Sequence, residues 1–272
     1  MTAPNTSLFD RTVAVTDRGE GRYDARVMPE WMGPAAPNGG ILAATMLRAA
    51  EAELGPAAPP ARTVAAHYFE APAAGHARLH VEVLRRGKRV SACDVRLSQD
   101  DRLVSSATLV FSAPREQAAT LARVPLDELP DPATVPEFDF RRLPGAPPMF
   151  TALELRPTLG EPPFTGAAEA ITGGWMALRD DDAPLDPARL CALADLWWPA
   201  VFSMIDGRAA VPTIQFTVYL RSVARAVRPP VFARFETRVI AEAHLEESGE
   251  LWSGAGELLV ESRQLALLPA PR

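Results

Sequence analysis

The chain carries its own internal copy, and this repetition restricts the fold more than any other feature of the sequence. TVAAHYF (63–69) overlays TIQFTVY (213–219) at an offset of 150 residues, which also brings Pro37 onto Pro187 and Arg78 onto Arg228. DDRLVSS overlays SGELWSG at an offset of 148. Self-similarity of this kind bears on the whole architecture before any single residue does.

The first copy contains PNGGILAATMLRAAEAEL (37–54), apolar at nearly every helical position and interrupted only by Thr45, Arg48, Glu51 and Glu53. A helix apolar almost all round must be surrounded by protein. Residues 10–28 alternate loosely around Gly19 and Gly21, as two short strands would. Strand-like runs follow the helix at 63–70, 77–86, 89–98 and 102–112, with Gly87-Lys88 and Asp100-Asp101 as turns. In the second copy, runs at 149–157 and 167–179 lead to Asp186-Pro187, an N-cap followed by proline at the first helical position. The predicted helix extends to about Met204, and strand-like runs follow at 212–222, 231–247, 250–262 and 263–269.

The expected fold is therefore α+β, with two long buried helices each wrapped by an antiparallel β-sheet. That architecture is the hotdog, here present twice. Residues 1–113 form the first unit and 149–272 the second, with the proline-rich stretch 114–148 as an irregular linker.

Composition narrows the function. A formal charge of −6 argues against nucleic acid as a partner. No apolar run approaches the ~20 residues that span a bilayer, so no membrane association is expected. The first twenty residues are polar and acid-containing, unlike a signal peptide. Cys93 and Cys191 lie far apart in apolar periodic segments and read as buried thiols of a reducing compartment, which makes the expected location cytoplasmic. CxxC, HExxH, GxGxxG, Walker-type and GxSxG motifs are absent, and neither a metal nor an organic cofactor is expected.

One acid stands out, Asp195 in ALADLWWPA (192–200). On a helix, Cys191, Asp195, Trp198 and Phe202 form one row beside the stripe Leu190, Leu193, Ala194, Trp197 and Val201. An ionised carboxylate in such a row is costly unless it is hydrogen-bonded or employed. Pro199 has no N–H, so the Asp195 carbonyl loses its helical partner and the helix must kink or loosen. Spacing leaves two readings: an acid on an exposed sliver or capping a loop, or a catalytic carboxylate tuned by partial burial. The 150-residue offset puts Thr45 opposite Asp195, so a carboxylate-driven site would occur once.

Several segments together carry a resemblance: NGG (38–40), HYFEAP (67–72), LHVEVLRRGKRVSACDVRL (79–97), ALADLWWP, PTIQFTVYLR and SRQLALL. They resemble the acyl-CoA thioesterase II family, the double-hotdog branch of the thioesterase-like superfamily, over nearly the whole chain except 113–165. The resemblance implies an acyl-CoA substrate, thioester hydrolysis, and a site made of an Asp on the second helix, a Thr opening the next strand and a Gln in the last strand. The matching positions are Asp195, Thr213 and Gln264. Asp195 would activate water as general base, with Thr213 and Gln264 holding it. Backbone N–H groups where the first helix opens, at Asn38, Gly39 and Gly40, would face the thioester oxyanion. Trp31, Met32, Trp175, Trp197, Trp198 and Phe202 would supply an apolar tunnel, and the basic turn Arg85, Arg86, Lys88 and Arg89 or the cations Arg221, Arg225 and Arg228 would meet CoA phosphates.

Plainer readings stand beside these. Thr213 suits a strand by propensity, Gln264 suits an outward strand position, Gly39-Gly40 let a sheet approach the helix, the aromatics suit a core, and the basic turn suits solvent. The alternation Ile214, Phe216, Val218, Leu220 also sends Thr213 to the opposite face. The alternative functions are a hotdog that binds acyl groups without turnover and, ranked last, a hydratase or dehydratase. The latter would need an Asp and a His about five residues apart in a catalytic loop, a pairing absent from the sequence near either helix. Hotdog sheets pair edge to edge. The duplication supplies one such pairing internally, and a homo-oligomer, dimeric or higher, is compatible with the pattern.

Overall fold

The computed structural model describes residues 6–34, 36–116, 118–119, 129–142, 145–207, 209–221 and 227–269. Arg225 and the linker residues 117, 120–128 and 143–144 lie outside them. In the first half run α1 (Leu8–Val13), β1 (Thr16–Gly19), β2 (Arg22–Val27), α2 (Gly39–Leu54), β3 (Ala61–Tyr68), β4 (Gly75–Arg85), β5 (Val90–Gln99) and β6 (Arg102–Ser112). In the second run β7 (Leu153–Leu159), β8 (Ala170–Leu178), α3 (Pro187–Leu193), β9 (Thr213–Leu220), β10 (Val231–Ala241), β11 (His244–Trp252) and β12 (Leu258–Leu267).

The strands form one twelve-stranded antiparallel sheet in the order β1-β2-β4-β5-β6-β3-β9-β12-β11-β10-β8-β7. Read from its centre outward, the order is the same in both directions once β1–β6 are matched to β7–β12. The two most similar segments of the sequence meet there, with Thr63 opposite Tyr219 and His67 opposite Gln215. Joining β3 to β9 leaves neither half with a free edge at that position.

Helix α2 begins where Asn38 Oδ1 accepts the Ile41 N–H at 3.0 Å, and it ends at Gly55, whose φ of 80° only glycine adopts readily. Residues from Gly40 to Leu47 are buried on every face, because sheet and α3 enclose the helix. Arg189 in α3 is buried and is held by Asp10 of α1, Asp181 and Asp186, and its guanidinium lies 5.1 Å from the Phe9 ring. Paired so, a buried guanidinium is tolerable, and it ties the first helix of one half to the helix of the other. None of the described helices is long and apolar enough to cross a membrane.

Four expectations need correction. Only α2 is a long buried helix. The second stops at Leu193, and a separate single turn, Ala200–Ser203, follows Pro199. Proline denies Asp195 its helical acceptor role and disfavours helical geometry at Trp198, so the chain tightens after Ala194 into three-residue bonds, Asp195 N–H to Ala192 O at 3.0 Å. Residues Leu8–Val13 are helical because Ser7 caps them, accepting the Asp10 N–H at 3.1 Å. The runs 231–247, 250–262 and 263–269 are divided differently: 231–247 holds a hairpin turned by Glu242 and Ala243 at φ 53° and 58°, β11 continues to Trp252, and Leu258–Leu267 is one strand across the expected break at 262. DDRLVSS therefore overlays the wrong strand: its turn and β6 correspond to the turn before β12, whereas SGELWSG lies in β11 and the loop after it.

Candidate active site

The break in the second helix exposes a carbonyl that Pro199 cannot satisfy. The Asn38 side chain satisfies it instead, Nδ2 donating to Asp195 O at 2.7 Å. The same Nδ2 donates to Asp195 Oδ2 at 3.0 Å, and the Gly40 N–H donates to Oδ2 at 2.7 Å. Asn38 thus caps α2 with its oxygen and grips the Asp195 segment with its nitrogen. A Cβ on Gly40 would lie 2.7 Å from Asp195 Cβ and 2.9 Å from Ala192 O, and one on Gly39 would lie 3.0 Å from the Tyr68 ring and 3.2 Å from Asp195 Oδ2. The two glycines therefore admit the acid and the tyrosine to the helix start.

Asp195 is half-buried, and burial pushes its carboxyl up to about 7 against the opposing pull of the Gly40 N–H, the Asn38 amide and the Gly39 N–H. Tyr68 Oη donates to Gly39 O at 2.7 Å. Burial, then the Asp195 charge, holds that phenol well above its ordinary range.

Thr213 and Gln264 form a second cluster. On β9 and β12, Gln264 faces Phe216 and Leu265 faces Gln215, but Ala266 faces Thr213, leaving Ile214 as an extra residue. This β-bulge turns Thr213 back to the face of buried Phe216, which simple alternation denied it. Thr213 Oγ1 donates to Gln264 Oε1 at 2.9 Å. Gln264 Nε2 donates to Glu247 Oε1 at 2.8 Å, and the Ala200 N–H donates to Glu247 Oε2 at 2.5 Å.

The sequence reading missed Glu247. Ending a strand-like run at 247 separates this acid from the residues that follow, and the alternation of buried Leu245, Glu247, Gly249 and Leu251 along β11 shows it inward. Only 3% of it is exposed, and its carboxyl rises to about 7. Burial is the main cause, opposed by the Ala200 N–H and the Gln264 amide and reinforced by the charges of Asp195 and Glu246. Among the described residues, no direct hydrogen bond joins Asp195 to Thr213 or Gln264. The two clusters meet through the segment 195–200, which carries Asp195 at one end and Ala200 at the other, and through the field of Asp195 at Glu247.

The aromatic residues do not line one tunnel. Trp31 donates to Thr12 in the core, Trp175 donates to Pro130 O beside Phe232, and Trp197 donates to Thr172. Trp198 is buried beside Phe138 and Phe140, with ring centroids 6.4 and 5.2 Å away, and its Nε1 has no partner among the described residues. Arg86 donates to the Glu53 and Leu54 carbonyls at the end of α2, Arg221 pairs with Glu261, and Arg228 donates to Asp182 O. Those three cations already have protein partners.

An acid poised near neutrality beside a helix start can take a proton from water. Comparison with known proteins bears on which reaction that serves. The family model for the acyl-CoA thioesterase C-terminal domain matches residues 125–268, and that for the N-terminal domain matches 28–112. An uncharacterised protein of Mycobacterium tuberculosis is 27% identical over 271 residues, covering 91% of each chain. A crystal structure of a hotdog-fold protein of unknown function from Alicyclobacillus acidocaldarius is 27% identical, covers 98% of this chain and 100% of that one, and gives a TM-score of 0.88. Acyl-CoA thioesterase II of Mycobacterium marinum shares the fold at 16% identity and a TM-score of 0.76, covering 97% of this chain and 98% of that one.

Proposed function

The chain belongs to the acyl-CoA thioesterase family, and from that premise we propose that it hydrolyses acyl-CoA thioesters with Asp195 as the general base. The observation that carries the reading is the placement of a half-buried carboxylate, raised to about 7, against the start of α2. A base with a pKa near the working pH is deprotonated often enough to act and basic enough to accept a proton.

A water held between Asp195 and the Thr213–Gln264 pair gives one proton to Asp195 while its oxygen bonds to the thioester carbon. The carbonyl oxygen becomes an oxyanion, favoured by the positive end of α2. Collapse breaks the carbon–sulfur bond, and the departing CoA thiolate recovers the proton from Asp195. The products are a carboxylic acid and free CoA, and no nucleophilic side chain is consumed. The Asn38 and Gly40 N–H groups are held by Trp31 O and Asp195 Oδ2 and so are not the free oxyanion donors expected from the sequence. Asn38, Gly39 and Gly40 would instead border the thioester, and Trp198 would flank the acyl group.

The test is thiol release from acyl-CoAs of increasing chain length. Wild type is expected to turn over some members of the series, and Asp195→Asn to lose about 10²-fold or more in kcat while keeping its melting transition. Binding of acyl-CoA without release of thiol by wild type would instead favour the acyl-binding alternative.

A further inference from the structure

Glu247 is a buried, hydrogen-bonded carboxylate to which the water-activation scheme assigns no role. It sits directly opposite Gln264 across β11 and β12, and Gln264 sits opposite Phe216 on β9. The row continues to Thr237 on β10, whose buried hydroxyl is without a partner among the described residues. The matching row of the first half, through β3, β6, β5 and β4, is Val64, Leu109, Cys93 and Val83. A hotdog half thus closes around its helix with no acid at this place. A buried carboxylate is costly, so its presence in the half that carries Asp195 calls for a reason in the site.

Hydrogen-bond bookkeeping supplies one. An ionised carboxylate only accepts. One Glu247 oxygen takes the Ala200 N–H, and the other takes Gln264 Nε2. The Gln264 amide is then fixed with Oε1 toward Thr213, whose hydroxyl donates to it. Thr213 Oγ1 and Gln264 Oε1 are left with only lone pairs to offer. We propose that Glu247 is a positioning residue that sets the polarity of the Gln264 amide, so that acceptors alone face the nucleophilic water. This rests on the water-holding role proposed above. Acceptors draw both water hydrogens toward the protein and leave an oxygen lone pair for the thioester carbon. An NH2 group turned to the same place would donate to that lone pair and oppose attack.

The experiment compares wild type with Glu247→Gln and with the reversed pair, Glu247→Gln combined with Gln264→Glu. In the single variant, the new amide at position 247 keeps the Ala200 N–H with its oxygen and presents NH2 to Gln264, which must flip. In the reversed pair, that amide donates to the new carboxylate at position 264, whose second oxygen accepts from Thr213, and every bond regains a partner. Expected for Glu247→Gln is a fall in kcat of about tenfold or more, with KM within about threefold and an intact melting transition. The reversed pair is expected to recover at least about fivefold over the single variant, which a merely structural acid would not give. A smaller loss in Glu247→Gln, or a folded reversed pair that recovers less, would overturn the proposal. Should Glu247→Gln not fold, the reversed pair against wild type decides: kcat within about thirtyfold supports it, and a greater loss contradicts it. Hydrolysis that survives Asp195→Asn defeats the water-activation reading itself, whereas an inactive Asp195→Asn beside an unimpaired Glu247→Gln defeats only the role of Glu247.

Discussion

The two halves share strand order and differ in what they place on their inner faces. The N-caps Asn38 and Asp186 are 148 residues apart, so the helical counterpart of Asp195 is Leu47 rather than Thr45. The bulge at Ile214 has a twin at Arg62, where Ala61 faces Phe111 and Thr63 faces Val110. Thr213 therefore corresponds to Ala61, Gln264 to Leu109 and Glu247 to Cys93, all of them buried apolar residues. The first half has an apolar row and an unbroken helix of 16 residues, and the second has a seven-residue helix and a polar row. Neither half makes the Asp195 cluster alone: one contributes the helix start with Asn38 and Gly40, the other the acid that docks on it.

Substitutions at the contact between the halves sharpen that comparison. The largest effect is expected at Gly40→Ala, because the new methyl meets Asp195 Cβ at 2.7 Å and the Ala192 carbonyl at 2.9 Å. Crowding against backbone should cost roughly 1–3 kcal/mol, and displacement of the acid should lower kcat/KM by about 10²-fold. Denaturant melts and thiol-release kinetics measure the two losses. The same substitution at Gly55, which has open space around it, should affect stability alone.

A smaller effect is expected at Asn38→Ala. It removes the cap on Ile41 and both bonds to Asp195. The lost cap should cost about 0.5–2 kcal/mol, with kcat lowered about tenfold as the acid loses an orienting donor. Asn38→Asp keeps an oxygen for the cap but sets a second acid against Asp195. Its pH–rate profile should move to higher pH, whereas Asn38→Ala removes a donor without adding charge.

Much of this was legible in the residues, for identifiable reasons. The duplication, the all-round apolar character of 39–54 and the Asp186-Pro187 start are local signals, and local signals survive in a sequence. Asp195 was visible as an acid in an apolar row. The bulge at Ile214 was not, since it depends on register against β12, and plain alternation sent Thr213 to the wrong face. The Glu242-Ala243 turn lacks the Asn or Gly that usually marks positive φ, so its hairpin read as one strand. Pro199 signalled a break, but not that the carbonyl it frees at Asp195 is taken by Asn38, 157 residues away. What sequence reasoning lost in each case was a contact between distant segments.

The proposed role of Asp195 as a base depends on its seat between the halves, which raises it toward neutrality. Its folded pKa of about 7 lies above the ordinary 3.8, so the native state holds this proton more tightly than the unfolded chain does. Stability from this group is full below the unfolded value and is lost as pH rises through about 7, while activity moves the opposite way because the base must be ionised. Glu247 titrates in the same range and feels the Asp195 charge, so the observed limb belongs to the coupled pair. The direct measurement is kcat/KM for a good acyl-CoA substrate across roughly pH 5 to 9. The expected profile rises about tenfold per pH unit below a limb near 7 and levels above it. A profile flat through that range, or falling as pH rises, would contradict the assignment of Asp195 as the base.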